Sequence, residues 1–511
     1  MKRVDWVLAG TIVLLAAWLR FEHLRFMEFK EDEAGGILLA LSVPTSGFEG
    51  LPTYGPISSV GVYYPPLYVY ILLVPMICSR DPLFITGFIA LLNIGAVFLC
   101  YVGTLRLYGR SAAVAASALM ATLPAAILFS RKTWNPNLLP VLGMGLTLSM
   151  LGFLRIPGFW NQFCIAALAG LIWQINFFGL FILPVVGGAL VARWRRLQAK
   201  ALGLGLCVAL LPLIPYGLFL ARARLEPVKT ALSLLRGQAG SKELMATRLA
   251  RAYRAPGLLA SSAFLSTDYH YTASGVGKPA HCVLQMMWVV LPASVLYLLL
   301  RCMAAEDRGL ALLLLVPPFL WALTGLATHT HYFLAFLPAI CIALGRVSSL
   351  LADVRGCGKE ATVSDRQWPR GRLLCTIVSD CLLAAILLGN FFLWKQFLGE
   401  VVAHGGLAGG YGTAYTYKAQ AAAYFAERQE AIREFRTLCP PGKEMPFEMQ
   451  CLVYLQGLRP RSRQAAVGTY EFLDTLRSRD CPYPDRAPIR EFGPLRVYFQ
   501  SPHPTERGAR D

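Results

Sequence analysis

The stretch Phe26-Met27-Glu28-Phe29-Lys30-Glu31-Asp32-Glu33-Ala34 decides how this chain is read. It follows the first hydrophobic run, Val4 to Leu19, and is the densest acidic cluster beside any membrane-length segment. Carboxylates at the mouth of a membrane span are costly unless they meet water, a cation or a substrate. Asp32 and Glu33 are therefore the first candidates for chemistry.

Around that cluster lies a polytopic membrane protein. The chain has 511 residues with 15% charged and a mean hydropathy of +0.50, which leaves little room for large soluble domains. Apolar runs of about 20 residues are what a bilayer core of roughly 30 Å requires. The net charge of +18 does not mark a nucleic-acid binder. The basic residues recur at the ends of apolar runs, as the positive-inside pattern demands, and form no single face. The thirteen cysteines show no CxxC or metal spacing. Most lie in apolar runs (Cys78, Cys100, Cys164, Cys207, Cys341), where an inert buried thiol is the plain reading. Lys2 and Arg3 precede an apolar core without a small-residue cleavage site, so the first span is read as uncleaved.

Hydropathy and flanking charge predict about 11 transmembrane helices. Span 1 covers 4–21 and leads to an external loop, 22–80, whose apolar portion from Pro65 to Cys78 is short for a crossing and is placed in the interface. Spans 2 to 4 cover 83–105, 111–129 and 136–154. The run 162–192 has Arg155 before it and Arg193, Arg195, Arg196 and Lys200 after it, so it is expected to cross twice, turning near Gln174-Ile175-Asn176. Irregular backbone at such a turn must face a cavity or protein, not lipid. Span 7 (201–220) leads to a second external loop, 222–281, rich in Arg and Lys. There Val228 to Leu235 and Leu244 to Tyr253 suit basic amphipathic helices on the membrane surface or a solvated loop. Spans 8 to 11 cover 282–300, 309–327, 331–349 and 373–395, with a basic cytoplasmic loop at 351–372. Residues 1–395 thus form the membrane domain. Residues 396–511 read as a small soluble α/β domain outside, with a helix over Tyr417 to Phe435 and strands over Phe447 to Leu455 and Leu495 to Phe499. Two of Cys439, Cys451 and Cys481 could pair there in an oxidising compartment.

Under this topology four polar clusters share one side of the membrane: Glu31-Asp32-Glu33, Tyr63-Tyr64-Pro65-Pro66, Ser130-Arg131-Lys132 and His329-Thr330-His331-Tyr332. Each has a plain reading. Acids at a helix end are commonly just solvated, and Arg-Lys at a span end is commonly a snorkelling anchor. His329 and His331 alternate, so on a helix they share no face and make a poor zinc pair. Their joint occurrence on one side is the informative part.

The pattern resembles the GT-C membrane glycosyltransferases of the protein O-mannosyltransferase type, the wider group that includes the aminoarabinose transferases of lipid A. The matching residues are Asp32-Glu33 in the first external loop, Tyr64-Pro65-Pro66-Leu67-Tyr68, Ser130-Arg131 after span 3, and Tyr332-Phe333-Leu334 followed by Leu337-Pro338-Ala339. Order and rough spacing agree over residues 1–350, and Tyr64 stands where many relatives have a basic residue. The resemblance implies inverting transfer of a sugar from a polyprenyl-phosphate carrier to a glycan, lipid or protein acceptor. Asp32 is then the base that takes the acceptor's proton, and Glu33 orients the acceptor or binds a cation. It gives Arg131, then Lys132, the departing phosphate, since guanidinium matches phosphate oxygens bidentately. Tyr64, Tyr68, His331 and Tyr332 complete the expected donor phosphate and lipid site. Asp32 and Glu33 offer oxygen ligands for a divalent cation, Mg or Mn, which the reading permits without demanding. Compact loops and a chain end without a eukaryotic retention signal make a bacterial inner membrane the expected location, with the site facing the periplasm. The alternatives are a transporter or flippase of lipid-linked saccharides, which lacks the expected inverted repeat and charges deep in the spans, and an envelope assembly protein without chemistry.

Overall fold

The computed structural model describes residues 1–43, 51–58, 61–239, 243–300, 304–353, 369–428, 434–437, 443–444, 447–455, 469–476 and 487–500. Leu67–Met76, Met245–Ala260, Met287–Leu300 and Ala305–Thr324 continue through interior prolines, and apolar runs form most of the helices. In chain order these are α1 Arg3–Phe21, α2 Glu31–Leu41, α3 Leu67–Met76, α4 Pro82–Tyr108, α5 Arg110–Thr122, α6 Pro124–Ser130 and α7 Leu139–Arg155. Then come α8 Phe159–Ile175, α9 Leu183–Ala192, α10 Ala199–Leu210, α11 Leu213–Arg222, α12 Glu226–Ala239, α13 Met245–Ala260 and α14 Phe264–Asp268. The last are α15 Gly277–Gln285, α16 Met287–Leu300, α17 Ala305–Thr324, α18 Leu337–Asp353, α19 Pro369–His404, α20 Tyr415–Arg428 and α21 Phe447–Leu455.

The protein is an integral membrane protein. Among the described residues seven helices are long and apolar enough to cross a bilayer, and nine if two bent pairs count as one span each. The expected eleven requires the shorter apolar helices Phe159–Ile175 and Phe177–Ala192 to cross as well. Their break falls at Asn176, whose side chain accepts the Phe178 N–H at 3.0 Å and starts the next turn. Of the basic amphipathic stretches expected in 222–281, both are helical, as α12 and α13. The loop at 351–372, expected to be cytoplasmic, lies largely outside the described residues.

One bend has a clear cause. Between α5 and α6 the chain turns by 55° at Leu123-Pro124. Pro124 has no N–H to give to the Met120 carbonyl. Arg20, buried inside α1, supplies the donor instead, reaching Met120 O at 3.1 Å and Ala121 O at 3.2 Å. An arginine within a span is here a repair of broken backbone, in keeping with the need to satisfy every polar group away from water.

The C-terminal part is α/β, as expected. Strands β1 Gly406–Leu407 and β2 Gly412–Thr413 pair as an antiparallel hairpin. β3 Glu434–Thr437, β4 Lys443–Glu444, β5 Thr469–Asp474, β6 Arg490–Phe492 and β7 Leu495–Gln500 form one sheet in the order β4-β3-β5-β7-β6. Only β3 and β5 run parallel, the other pairs being antiparallel. Two expectations are corrected. Phe447–Leu455 is a helix, not a strand, and it packs against α2 and α20. The helix begun at Tyr415 ends at Arg428, and Glu434–Thr437 is already strand. Cys451 is a buried free thiol on α21, while Cys439 and Cys481 lie outside the described residues.

Candidate active site

The acidic stretch runs from irregular backbone at Met27–Lys30 into the first turn of α2, which holds Glu31, Asp32 and Glu33. His23, at a φ of 50°, terminates α1, a short 3-10 turn covers Leu24–Phe26, and Lys30 is the N-cap of α2. The C-terminal domain holds this segment. The Tyr411 hydroxyl donates to Phe26 O at 2.6 Å, the Tyr415 N–H to Met27 O at 3.0 Å, and Lys418 Nζ to Phe29 O at 2.7 Å. Lys30 Nζ donates to Gly410 O at 2.5 Å. Lys418 is itself buried and paired with buried Glu448 at 3.1 Å.

Of the four carboxylates of the stretch, Glu28, Asp32 and Glu33 differ sharply. Glu28 is fully buried between the ammoniums of Lys30 and Lys132, with the Tyr269 hydroxyl 3.1 Å from its carboxylate and 2.6 Å from Lys132 Nζ. Burial alone would raise its pKa, but Lys132 and Lys30 outweigh burial and hold it below the ordinary value, so it stays ionised. Glu33 is also buried, and its Oε2 accepts the Lys30 N–H at 2.8 Å, closing the first turn of α2. Burial and the charge of Glu28 push Glu33 up to about 7. Asp32 is exposed at the N-terminus of the same helix. Partial desolvation raises its carboxyl pKa, against the pull of Lys30 and Lys132. Glu33 thus turns its carboxylate back onto the first turn of its own helix, whereas Asp32 is exposed.

The remaining expected residues separate into two groups. Arg131 and Tyr68 are inside. The buried Arg131 guanidinium donates to Arg20 O and Glu22 O at 2.7 Å, His23 O at 3.0 Å and Leu19 O at 3.4 Å, and lies over the Trp394 ring. It caps the carbonyls at and just beyond the C-terminal end of α1, sharing His23 O with the Phe26 N–H. Burial brings its pKa down to about 10, still charged at neutral pH. The hydrogen bonds described for this guanidinium all go to these carbonyls, and its role toward a phosphate is left to experiment. Tyr68 is fully buried, gives its hydroxyl to Thr133 O at 2.7 Å, and packs where α2 has no side chain: a Cβ at Gly36 would lie 2.7 Å from its ring. Lys132 is buried in the Glu28 pair, with Phe129, Trp134 and Tyr269 rings around its ammonium.

Tyr64, His331 and Tyr332 meet on the other side of the mouth. The Tyr64 ring stacks on Phe177 with centroids 4.5 Å apart. Burial first, then neighbouring Tyr332 and Asp32, push its phenol up, so it keeps its proton. His331 lies 4.5 Å from Trp134 and 4.6 Å from Tyr332, ring to ring. His329 and His331 do stack, at 5.5 Å, because His329 is still extended before the 3-10 turn Thr330–Phe336 begins. The four polar clusters therefore converge at one end of the bundle.

Tyr64 and Tyr332 also line an apolar cavity of ≈450 Å³ that runs between Phe178 and Phe181, Tyr216 and Leu220 of α11, Val228 and Ala231 of α12, and Trp321 of α17. Sequence reasoning passed over two parts of this site. Tyr269, the bridge from Glu28 to Lys132, sits in a loop without a pattern. Glu28 and Lys30 lay inside the acidic stretch but offered no sign that they pair with each other and with Lys132. Among the described residues no three His, Cys, Asp or Glu side chains are grouped to hold a metal ion.

No family model matches the chain, and no curated protein matches it. Solved structures do. The structure of ArnT from Cupriavidus metallidurans bound to undecaprenyl phosphate superposes with a TM-score of 0.55 at 12% identity, covering 98% of this chain and 98% of that one. ArnT from the same organism in the apo state gives 0.50 at 13% identity over 88% of this chain and 84% of that one. The archaeal oligosaccharyltransferase AglB from Archaeoglobus fulgidus, in complex with an inhibitory peptide and a dolichol-phosphate, gives 0.46 at 15% identity over 84% and 58%. Across nearly the whole of both chains, helices and C-terminal domain together, this protein has the GT-C fold.

Proposed function

We propose that the protein is a membrane glycosyltransferase that moves a sugar from a polyprenyl-phosphate carrier to a hydroxyl of a glycan, lipid or protein acceptor on the non-cytoplasmic side. One juxtaposition carries this reading. Asp32, exposed at the start of α2, bears electrostatically on Tyr64, and Tyr64 and Tyr332 both line the ≈450 Å³ apolar cavity. A reaction between a water-borne hydroxyl and a lipid-borne sugar phosphate needs that arrangement, with the chain in the cavity, the phosphate at its mouth and the base facing solvent. The fold shared with ArnT, solved with undecaprenyl phosphate, supports the carrier class, although fold by itself does not specify chemistry.

In this mechanism Asp32 takes the acceptor's proton as the acceptor oxygen attacks the anomeric carbon. The bond from that carbon to the phosphate oxygen breaks, its electron pair leaves with the phosphate, and the configuration inverts. Partial desolvation strengthens Asp32 as a base. The leaving group is a phosphate and needs no proton, only fixed positive charge. Lys30, one-quarter exposed and close to Asp32, carries that charge to the mouth, with Lys132 behind it through Glu28. The Tyr64 and Tyr332 phenols are the hydrogen-bond donors at the cavity's end. Since Glu28 is neutralised and Glu33 is buried, a divalent cation here would be held by Asp32 and the phosphate's own oxygens. Its contribution would be charge neutralisation on the leaving group.

The test compares envelope glycans from cells with the intact gene, a deletion and Asp32→Asn. Loss of one sugar from one glycan is expected in both altered strains, with transfer reduced about 10²–10⁴-fold for Asp32→Asn in a protein still inserted at normal levels. Full transfer by inserted Asp32→Asn would overturn the assignment.

A further inference from the structure

A second cavity, of ≈310 Å³, opens at the same end of the molecule and belongs to no step above. Leu265, Tyr271, Lys278, His281 and Leu393 line it. It stands at the edge of the bilayer, because Lys278 is the second residue of the apolar span Gly277–Leu300, and Val276 and Met286 nearby expose apolar side chains. Tyr271 is 5% exposed, yet among the described residues its hydroxyl has no hydrogen-bond partner. Buried hydroxyls are seldom left in that state, so an oxygen from elsewhere is called for. Burial, and then Glu400, push the phenol up, so it holds its proton and acts as a donor. Glu400, which takes the Ser274 hydroxyl at 3.5 Å, is the one acid that bears on Tyr271, and no carboxylate lines the cavity itself. His281 is held by Gln285 at 3.0 Å, which leaves Lys278 as the cation of the cavity lining.

We propose that this cavity binds one anionic phospholipid of the surrounding bilayer, its phosphate oxygens between the Lys278 ammonium and the Tyr271 hydroxyl and one acyl chain along Leu265 and Leu393. A basic residue at the membrane boundary above an apolar slot is the chemistry that selects such headgroups. The site is tied to the acidic stretch through protein. Tyr271 packs on Phe397 at 5.3 Å, Phe397 on Tyr269 at 6.4 Å, and Tyr269 bonds Glu28. His270, next to Tyr271, lies against Gly409 so closely that an added Cβ would come within 2.3 Å of its ring, and Gly410 beside it holds Lys30.

The experiment uses the full chain, lipid-depleted in an uncharged detergent and titrated with phosphatidylglycerol or phosphatidylcholine under native mass spectrometry. One phosphatidylglycerol is expected to bind at least about fivefold more tightly than phosphatidylcholine, with that preference lost in Lys278→Ala. Tyr271→Phe weakens binding, and Cys282→Trp, which fills the apolar part of the cavity, abolishes it. Equal binding of the two lipids by the native chain, or an undiminished preference in both Lys278→Ala and Cys282→Trp, would overturn the proposal. So would glycerol 1-phosphate competing as strongly as the lipid, since the ligand would then be a free phosphate. The readout is binding, so it stands or falls separately from sugar transfer.

Discussion

Lys132 and Glu28 form an ion pair closed to water, with the Tyr269 hydroxyl joined to both partners. Taking two charges out of water costs several kcal/mol each, and only their mutual attraction and added hydrogen bonds offset that. The pair therefore behaves as a unit, and its loss is asymmetric. Glu28→Ala alone should cost about 3–5 kcal/mol by stranding the buried Lys132, and Lys132→Ala should cost less, because Lys30 still pairs Glu28. Glu28→Gln with Lys132→Met should cost clearly less than the sum of the two single changes. Thermal unfolding in detergent measures this, and strictly additive losses would mean that the pair is not coupled.

Arg131 gives a second contrast. As the cap of α1 it should act on stability. Arg131→Ala is expected to lower the melting temperature markedly, and Arg131→Lys to restore little, because one ammonium does not span four carbonyls in a fork. Transfer by the surviving folded fraction should keep its KM for the lipid donor. An unchanged melting temperature with a raised donor KM would return Arg131 to the phosphate.

Acid should silence the site through Asp32. Its carboxyl lies above the ordinary 3.8, and Lys30 is the strongest of the groups holding it down. Activity is therefore lost as pH falls through that raised value, and in Lys30→Gln the acid limb should move further toward neutral. A pH–rate profile of the two proteins decides the point, and a limb that moves down or stays put would remove Lys30 from the neighbourhood of the base.

Glu33 makes the fold itself depend on pH. Its folded value of about 7 lies above the unfolded 4.5, so the folded state binds the proton more tightly. Stability should fall as pH rises between those two values, by roughly 3 kcal/mol at most at 1.36 kcal/mol per unit. Glu33→Gln keeps the neutral form and should flatten that slope. The comparison is of melting temperatures at pH 5 and at pH 8, at about those values.

A bulky residue in the apolar cavity tests the lipid's place. Ala231→Trp should raise the KM for a long-chain donor about tenfold, the order of one large side chain's displaced contacts, with kcat little changed. A lowered kcat at constant KM would place the lipid elsewhere.

Much of this was readable from composition and pattern. Hydropathy located the helices from Arg3–Phe21 to Thr330–Leu351 within about five residues, because a bilayer sets their length, whereas the last, expected over 373–395, runs on to His404. The four polar clusters were readable as neighbours because charge parity put them on one side. What a linear pattern does not carry is partner identity. Arg131 reads as a cation at a span end, and nothing local says that the carbonyls of Leu19 to His23 await it. Glu28 reads as one acid among four until Lys132 is brought to it by the fold. Phe447–Leu455 is a nine-residue apolar run of the length at which helix and strand patterns coincide, and packing against α2 settles it as helix. The bend at Pro124 was marked by the proline itself, but its repair by Arg20 was not.

The hairpin that seats residues 26–30 has a consequence in time. Phe26, Met27, Phe29 and Lys30 leave the ribosome before the membrane helices that follow them, and their partners Tyr411, Tyr415, Lys418 and Gly410 only after those helices have been made. Throughout synthesis the acidic segment is present but unset, with Lys30 lacking its carbonyl and the Phe29 carbonyl lacking its ammonium. The segment is therefore set only once residues 410–418 have been made and docked onto residues 26–30, and a copy that lacks them has no assembled site with which to act.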